Sequence, residues 1–136
     1  MLIWKDSYSV GVEAIDKQHK VLFEIGNDIA SAMKSDKDDK YDDIMYMLEE
    51  LIDYTEYHFS FEEEMLEKNG LPLSDKHLEQ HRFFIDKLTE KKSDEIDESQ
   101  GETLNELFGF VTDWIVTHIL STDKEYQAPL NGKGVF

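Results

Sequence analysis

Residues 44–65 read IMYMLEELIDYTEYHFSFEEEM, and this stretch decides the fold. Its inward positions fall at Ile44, Leu48, Leu51, Thr55, His58, Glu62 and Met65, in alternating steps of three and four. That spacing draws one stripe down an α-helix, the seam by which helices pack nearly antiparallel in bundles. The first half of the stripe is ordinary core. The second half puts an imidazole and a carboxylate where apolar side chains belong.

The same alternation recurs three times. It runs through Ile15, His19, Leu22, Gly26, Ile29 and Met33, then through His77, His81, Phe84 and Leu88, and last through Leu104, Leu107, Val111, Trp114 and His118. Short polar breaks near Asp36–Asp39, Asn69–Ser74 and Ser93–Gly101 separate the four stripes. The expected fold is therefore all-α, an up-down-up-down antiparallel four-helix bundle filling one domain over 1–136. Helices are expected over roughly 14–34, 40–69, 74–93 and 101–122, with Ser74 as an N-cap. Residues 1–13 have no helical period and read as an extended arm; after Asp123 a C-terminal tail shows little pattern. Gly26 and Gly109 fall inside helical stripes, where glycine weakens a helix unless close packing needs the space.

All five histidines of the chain lie on these seams. One histidine on an apolar face is ordinarily a satisfied core residue. Five of five is another matter, because each buried polar group left unpaired costs roughly 1–3 kcal/mol. A shared partner is needed, and a metal is the natural one for neutral imidazole. Spacing agrees: His58 and Glu62 are one turn apart on one helix face, as are His77 and His81. His19 and His118 come from the first and fourth helices, so every helix offers an inward donor. Asp123 fits less simply. It follows His118 by five residues, about 140° around an ideal helix. Either the helix loosens there by a π-type turn, or the aspartate reaches in from a frayed end. Helix C-termini disfavour carboxylates, which argues for a special role.

Composition narrows the chemistry. With 31 acidic against 14 basic residues the formal charge is −17, a surface that repels phosphate backbones and anionic lipid. Nucleic-acid and membrane-surface roles are disfavoured. The absence of cysteine removes iron–sulfur clusters, zinc ribbons and thiol catalysis. No signal segment or membrane-spanning run is visible, so a cytoplasmic setting without membrane insertion is expected. Mixed imidazole and carboxylate donors suit iron best, with manganese or cobalt as substitutes; structural zinc closes with four ligands, and calcium prefers oxygen.

The ordered series resembles the hemerythrin family, particularly its bacterial members. The resemblance is carried by Val10-Gly11-Val12 with Ile15-Asp16-Lys17-Gln18-His19, by His58-Phe59-Ser60-Phe61-Glu62-Glu63, by His77-Leu78-Glu79-Gln80-His81, and by Trp114 to Asp123. It spans nearly the whole chain. The connection Gly70-Leu71-Pro72-Leu73 departs from the aromatic-proline turn of many bacterial members.

That resemblance implies two iron ions, one held by His77, His81 and His118, the other by His19 and His58. Glu62, Asp123 and an oxo or hydroxo group would bridge them. Such a set leaves one octahedral position open, on the iron with two histidines, for dioxygen. By the same analogy Leu22, Phe59, Trp114, Ile115 and Ile119 would line the oxygen pocket. Asp16, Glu24 and Glu63 lie near ligands in the sequence, but nothing in it selects the residues that orient the imidazoles. The function expected is reversible dioxygen binding for carriage, storage or delivery. An alternative is an oxygen-sensing module of a larger chemotaxis-type protein, with signalling domains as partners. A di-iron peroxidase or oxidase is disfavoured because no acid–base residue stands outside the ligand set; the expectation is not an enzyme.

Overall fold

The structure, a computed structural model, describes residues 2–93 and 100–136. Among these are four long helices and no strand: α1 Glu13–Lys34, α2 Tyr41–Lys68, α3 Asp75–Ser93 and α4 Gln100–Thr117. Helix α1 packs on α2 and α4, and α3 packs on α2. Consecutive helices on short connections run antiparallel, and the result is a four-helix bundle. The expected break at Ser93–Gly101 falls largely on residues 94–99, outside the described residues.

Burial follows the stripes. Ile15, Leu22, Ile29, Ile44, Leu48, Leu51, Phe84, Leu88, Leu104, Leu107 and Val111 form the core, and all five histidines are buried with them. At the ends of the stripes Met33 and Met65 are only partly buried, and Leu66 takes the core position beside Met65.

Helix ends are set by local chemistry. Gly70, at φ +71°, ends α2 in a left-handed cap, with Gly70 N–H donating to Glu67 O at 3.0 Å and Leu71 N–H to Leu66 O at 2.8 Å. Those two bonds satisfy carbonyls that the last turn leaves free. Ser74 caps α3 as its position predicts, its Oγ accepting from the His77 backbone N–H at 3.2 Å. A histidine of the site is thereby anchored by the cap of its own helix.

The arm is extended but for a single 3₁₀ turn at Asp6–Tyr8. Leu2 pairs both ways with Asn27, its N–H donating to Oδ1 at 2.7 Å and its carbonyl accepting from Nδ2 at 2.9 Å. Trp4, Tyr8 and Phe23 meet edge to face at 5.3–5.8 Å. Asp16 binds Ser9 Oγ at 2.5 Å and Val10 N–H at 2.8 Å, so it fastens the arm and does not orient a histidine.

Two expectations at the C-terminal end need correction. The fourth helix is not a single α-helix to 122: α geometry stops at Thr117, and a π-turn covers His118–Thr122. The segment after Asp123 is not a patternless tail either. A 3₁₀ turn at Asp123–Tyr126 leads into a short α5, Gln127–Gly132, which buries Tyr126 and Leu130. One pair of residues at a four-residue interval is too short a stripe to be read as periodic. Pro129 sits in the first turn of α5, where its missing N–H costs nothing. Asn131 Nδ2 then donates to Gly11 O at 3.0 Å, tying this end to the arm.

The two helical glycines differ in reason. A Cβ on Gly26 would stand 2.6 Å from Leu2 Cδ1, so the arm needs that space; a Cβ on Gly109 would meet nothing within 4 Å. Gly109→Ala is expected to raise stability by about 0.5–1 kcal/mol. Gly26→Ala should gain less or lose, because Leu2 must move. Urea denaturation of both variants beside the parent checks the ordering.

Candidate metal centre

The four helices deliver their donors to one level of the bundle. His19 comes from α1, His58 and Glu62 from α2, His77 and His81 from α3, and His118 and Asp123 from the two ends of the π-turn. Glu62, His77, His81, His118 and Asp123 offer donor atoms that all lie within 4.8 Å of one another; so do His19, His58, Glu62 and Asp123. The structure thus gathers all seven residues singled out in the sequence into two overlapping groups.

The two carboxylates are common to both groups, and each divides its oxygens between them. Glu62 Oε1 faces His77 Nε2 at 3.0 Å and His81 Nε2 at 3.5 Å, while Oε2 faces His58 Nε2 at 3.3 Å. Asp123 Oδ1 faces His118 Nε2 at 2.9 Å and His77 Nε2 at 3.1 Å, while Oδ2 faces His19 Nε2 at 3.1 Å. Neighbouring donors on an octahedral ion with bonds of about 2.1 Å stand about 3.0 Å apart, which is the spacing found.

Orientation makes a stronger case than distance. Both oxygens of Glu62, both of Asp123, His19 Nε2 and His77 Nε2 are buried and make no aligned hydrogen bond, although neighbouring donors stand about 3 Å away. They gather about common points instead of pairing off. His81 Nε2 and His118 Nε2 face one another at 3.2 Å. The opposite nitrogen of His118 meets Gln80 Oε1 at 2.8 Å, and that of His81 meets Glu63 Oε1 at 3.3 Å. Both acceptors draw the ring proton to Nδ1, leaving two bare lone pairs opposed at Nε2. A cation between them removes that repulsion, and the donor set fits an imidazole-binding transition metal.

The charges agree. Burial acts to raise the Glu62 carboxyl, yet the imidazoles of His58, His77 and His81 hold it well below the usual carboxylate range. Asp123 is likewise lowered: burial and the Glu62 charge act against ionisation, and His118 and His19 overcome them. Burial pushes the His58 imidazole down. It acts the same way on His77, but the flanking Asp123 and Glu62 lift that ring to about 9.

Three residues orient the rings: Gln18 Oε1 meets His58 Nδ1 at 2.6 Å, Gln80 serves His118, and Glu63 serves His81. Of the nearby carboxylates Asp16, Glu24 and Glu63, which the sequence left unselected, Glu63 is the one that meets an imidazole. The two glutamines, each next to a ligand histidine, were not singled out, because adjacency in sequence does not say which ring a side chain reaches. Tyr126, in the segment read as a tail, is a fourth: it is buried, and its ring lies 15° from parallel with His77 at 6.4 Å. Burial, then the charges of Glu62 and Asp123, push its phenol well above the ordinary range.

Of the expected pocket residues, Leu22, Ile115 and Ile119 are fully buried. Phe59 stacks on His81 at 3.9 Å, with His58 at 5.6 Å. Trp114 is only partly buried and stacks on His118 at 4.3 Å. It also borders a groove of about 650 Å³ walled by Phe83, Phe110, His77 and His118. Phe59 and Trp114 therefore touch the three-histidine group, and Phe59 also reaches the other.

Fold and site together define a cation-binding all-α bundle. The family model described as the hemerythrin HHE cation binding domain matches residues 10–130, and the chain belongs to the hemerythrin family. It is 40% identical over 127 residues to a bacteriohemerythrin of Clostridium acetobutylicum, covering 93% of this chain and 98% of that protein. A myohemerythrin of Theromyzon tessulatum is 27% identical, covering 93% and 92%. A wild-type hemerythrin crystal structure superposes with a TM-score of 0.76 at 25% identity, covering 94% of this chain and 96% of that one. Hemerythrins bind dioxygen at a di-iron centre and are not enzymes.

Metal ligands must be deprotonated, and the flanking Asp123 and Glu62 lift His77 to about 9, so this ring gives up a proton most reluctantly. Adding a divalent metal anaerobically is expected to release protons, and apparent affinity should fall as the pH drops below about 9. A pH-indicator titration checks this; uptake without proton release would contradict it.

Proposed function

We propose that this protein carries or stores dioxygen on two iron ions. His77, His81 and His118 hold one ion, His19 and His58 the other, and Glu62 and Asp123 span both. The single observation that supports this most is the division of each carboxylate's oxygens between the two histidine groups. A carboxylate serving one ion, or a salt bridge alone, has no need of that division. When bound, the iron pair supplies the electrons and the open coordination position for reversible dioxygen uptake.

The chain's own residues set the conditions. Gln18, Gln80 and Glu63 fix the rings of His58, His118 and His81 so that each turns Nε2 inward. Leu22, Phe59, Ile115 and Ile119, all buried, are assigned to the lining of the oxygen pocket, where apolar packing keeps out water and stray protons. Trp114 is placed on the three-histidine side, against His118. Carriage is favoured over sensing by the relatives named bacteriohemerythrin and myohemerythrin, which the chain matches across most of their length. No helix of the described residues is long and apolar enough to cross a membrane, and a cytoplasmic setting goes with this reading.

Reduced, iron-loaded protein is expected to contain two irons per chain and to show a visible absorption band that appears under oxygen and disappears on evacuation. A band that evacuation cannot reverse would overturn the carrier reading. Asp123→Ala should lower the iron content to one per chain or less while far-ultraviolet circular dichroism stays helical. Retention of two irons by that variant would remove Asp123 from the site.

A further inference from the structure

The π-turn is the least regular part of the site; it begins at one of the seven donors, His118, and runs straight into another, Asp123. The Asp123 N–H is shared between Ile119 O, four residues back, and His118 O, five back, and the widened turn brings a side chain otherwise about 140° away round to the His118 face. Such turns are rare because the neighbouring α geometry competes with them. Something must hold this one open.

Gln80 is placed to do so. It lies on α3 between His77 and His81, and its Oε1 accepts from His118 Nδ1–H at 2.8 Å and from Thr122 Oγ–H at 2.9 Å. His118 is the first residue of the π-turn and Thr122 the last, immediately before Asp123. One amide oxygen on a neighbouring helix therefore grips both ends of the turn. Asp123 Oδ1 and His118 Nε2 stand 2.9 Å apart as a result. Relaxation of the turn to α geometry would carry Thr122 and Asp123 around the helix together, and the Gln80–Thr122 bond could not survive it. The same oxygen takes the ring proton of His118, so register and tautomer are set by one atom.

We propose that Gln80 is a positioning residue: it clamps the π-turn across the helix interface, and this clamp brings His118 and Asp123 onto a common metal position. The clamp needs an acceptor with two lone pairs at that point. Glutamate supplies one; leucine, of similar size, supplies none. Only the iron-release part of the test rests on the di-iron reading.

Amide hydrogen exchange at Asp123 and the ¹⁵N shifts of the His118 ring are measured on the full metal-free chain, and iron release to a chelator on the loaded chain. Gln80→Leu is expected to speed Asp123 exchange about tenfold, to lose the Nδ1–H preference of His118, and to speed iron release by roughly 10–100-fold. Gln80→Glu should restore all three toward the parent, which a merely structural role for the side chain would not require. Thr122→Val removes one arm only, and should speed Asp123 exchange while leaving the His118 tautomer in place. If Gln80→Leu leaves Asp123 exchange and the His118 shifts unchanged, or Gln80→Glu rescues nothing, the clamp is refuted. If Gln80→Leu does not fold, Thr122→Val decides: unchanged exchange at Asp123 refutes the clamp. Should the parent itself take up no iron, the di-iron reading fails alone, and exchange and ring shifts still judge Gln80.

Discussion

Seven buried metal-binding side chains gathered into two overlapping groups are the constraint on which this structure turns. Two carboxylates and five imidazoles lie in an interior where each unpaired polar group costs roughly 1–3 kcal/mol. The imidazoles and carboxylates stand near 3 Å from one another and offset each other's charge, but several of the contacts are poorly aligned as hydrogen bonds. The bundle holds these groups in an arrangement that only cations complete. Such an interior is costly alone and stable when loaded, because metal binding and folding then draw on the same free energy.

The rest of the molecule is arranged to bear that cost. The donors sit on all four helices, so a pair of ions acts as a cross-link between elements whose other contacts are apolar. Helix ends near the site are closely specified: Ser74 caps α3 through the backbone of His77, and Gly70 stops α2 eight residues after Glu62. The arm and α5 close around Gly11 through Asn131, which brings the end of the chain, with Tyr126, beneath His77. Aromatic rings complete the enclosure, Phe59 on His81 and Trp114 on His118. Packing of this kind limits the freedom of a ring without adding charge.

The choice of orienting groups matters as well. Two of the three groups that meet an imidazole Nδ1 are amide oxygens, from Gln18 and Gln80; the third, Glu63 at the edge of the site, is a carboxylate. Amides fix tautomers without placing more negative charge beside the metals. Among the described residues, Glu62 and Asp123 are the only buried acids.

Much of this was legible in the amino-acid order. The alternation of Ile44, Leu48, Leu51 and their counterparts specifies four packing helices, because apolar burial at a 3.6-residue period has one geometric solution. Histidines inside those stripes, four apart from a glutamate or from one another, specify a metal site, because backbone periodicity alone fixes which side chains share a face. Asp123 stood at the limit of that logic: helical period put it off the face, and only the π-turn returns it. What tertiary structure alone decided is what lies across helix interfaces. That Gln80 reaches His118, Gln18 reaches His58 and Tyr126 folds back under His77 are contacts between residues far apart in the chain. Periodicity assigns a residue to a face; only the packing of one helix against another assigns it a partner.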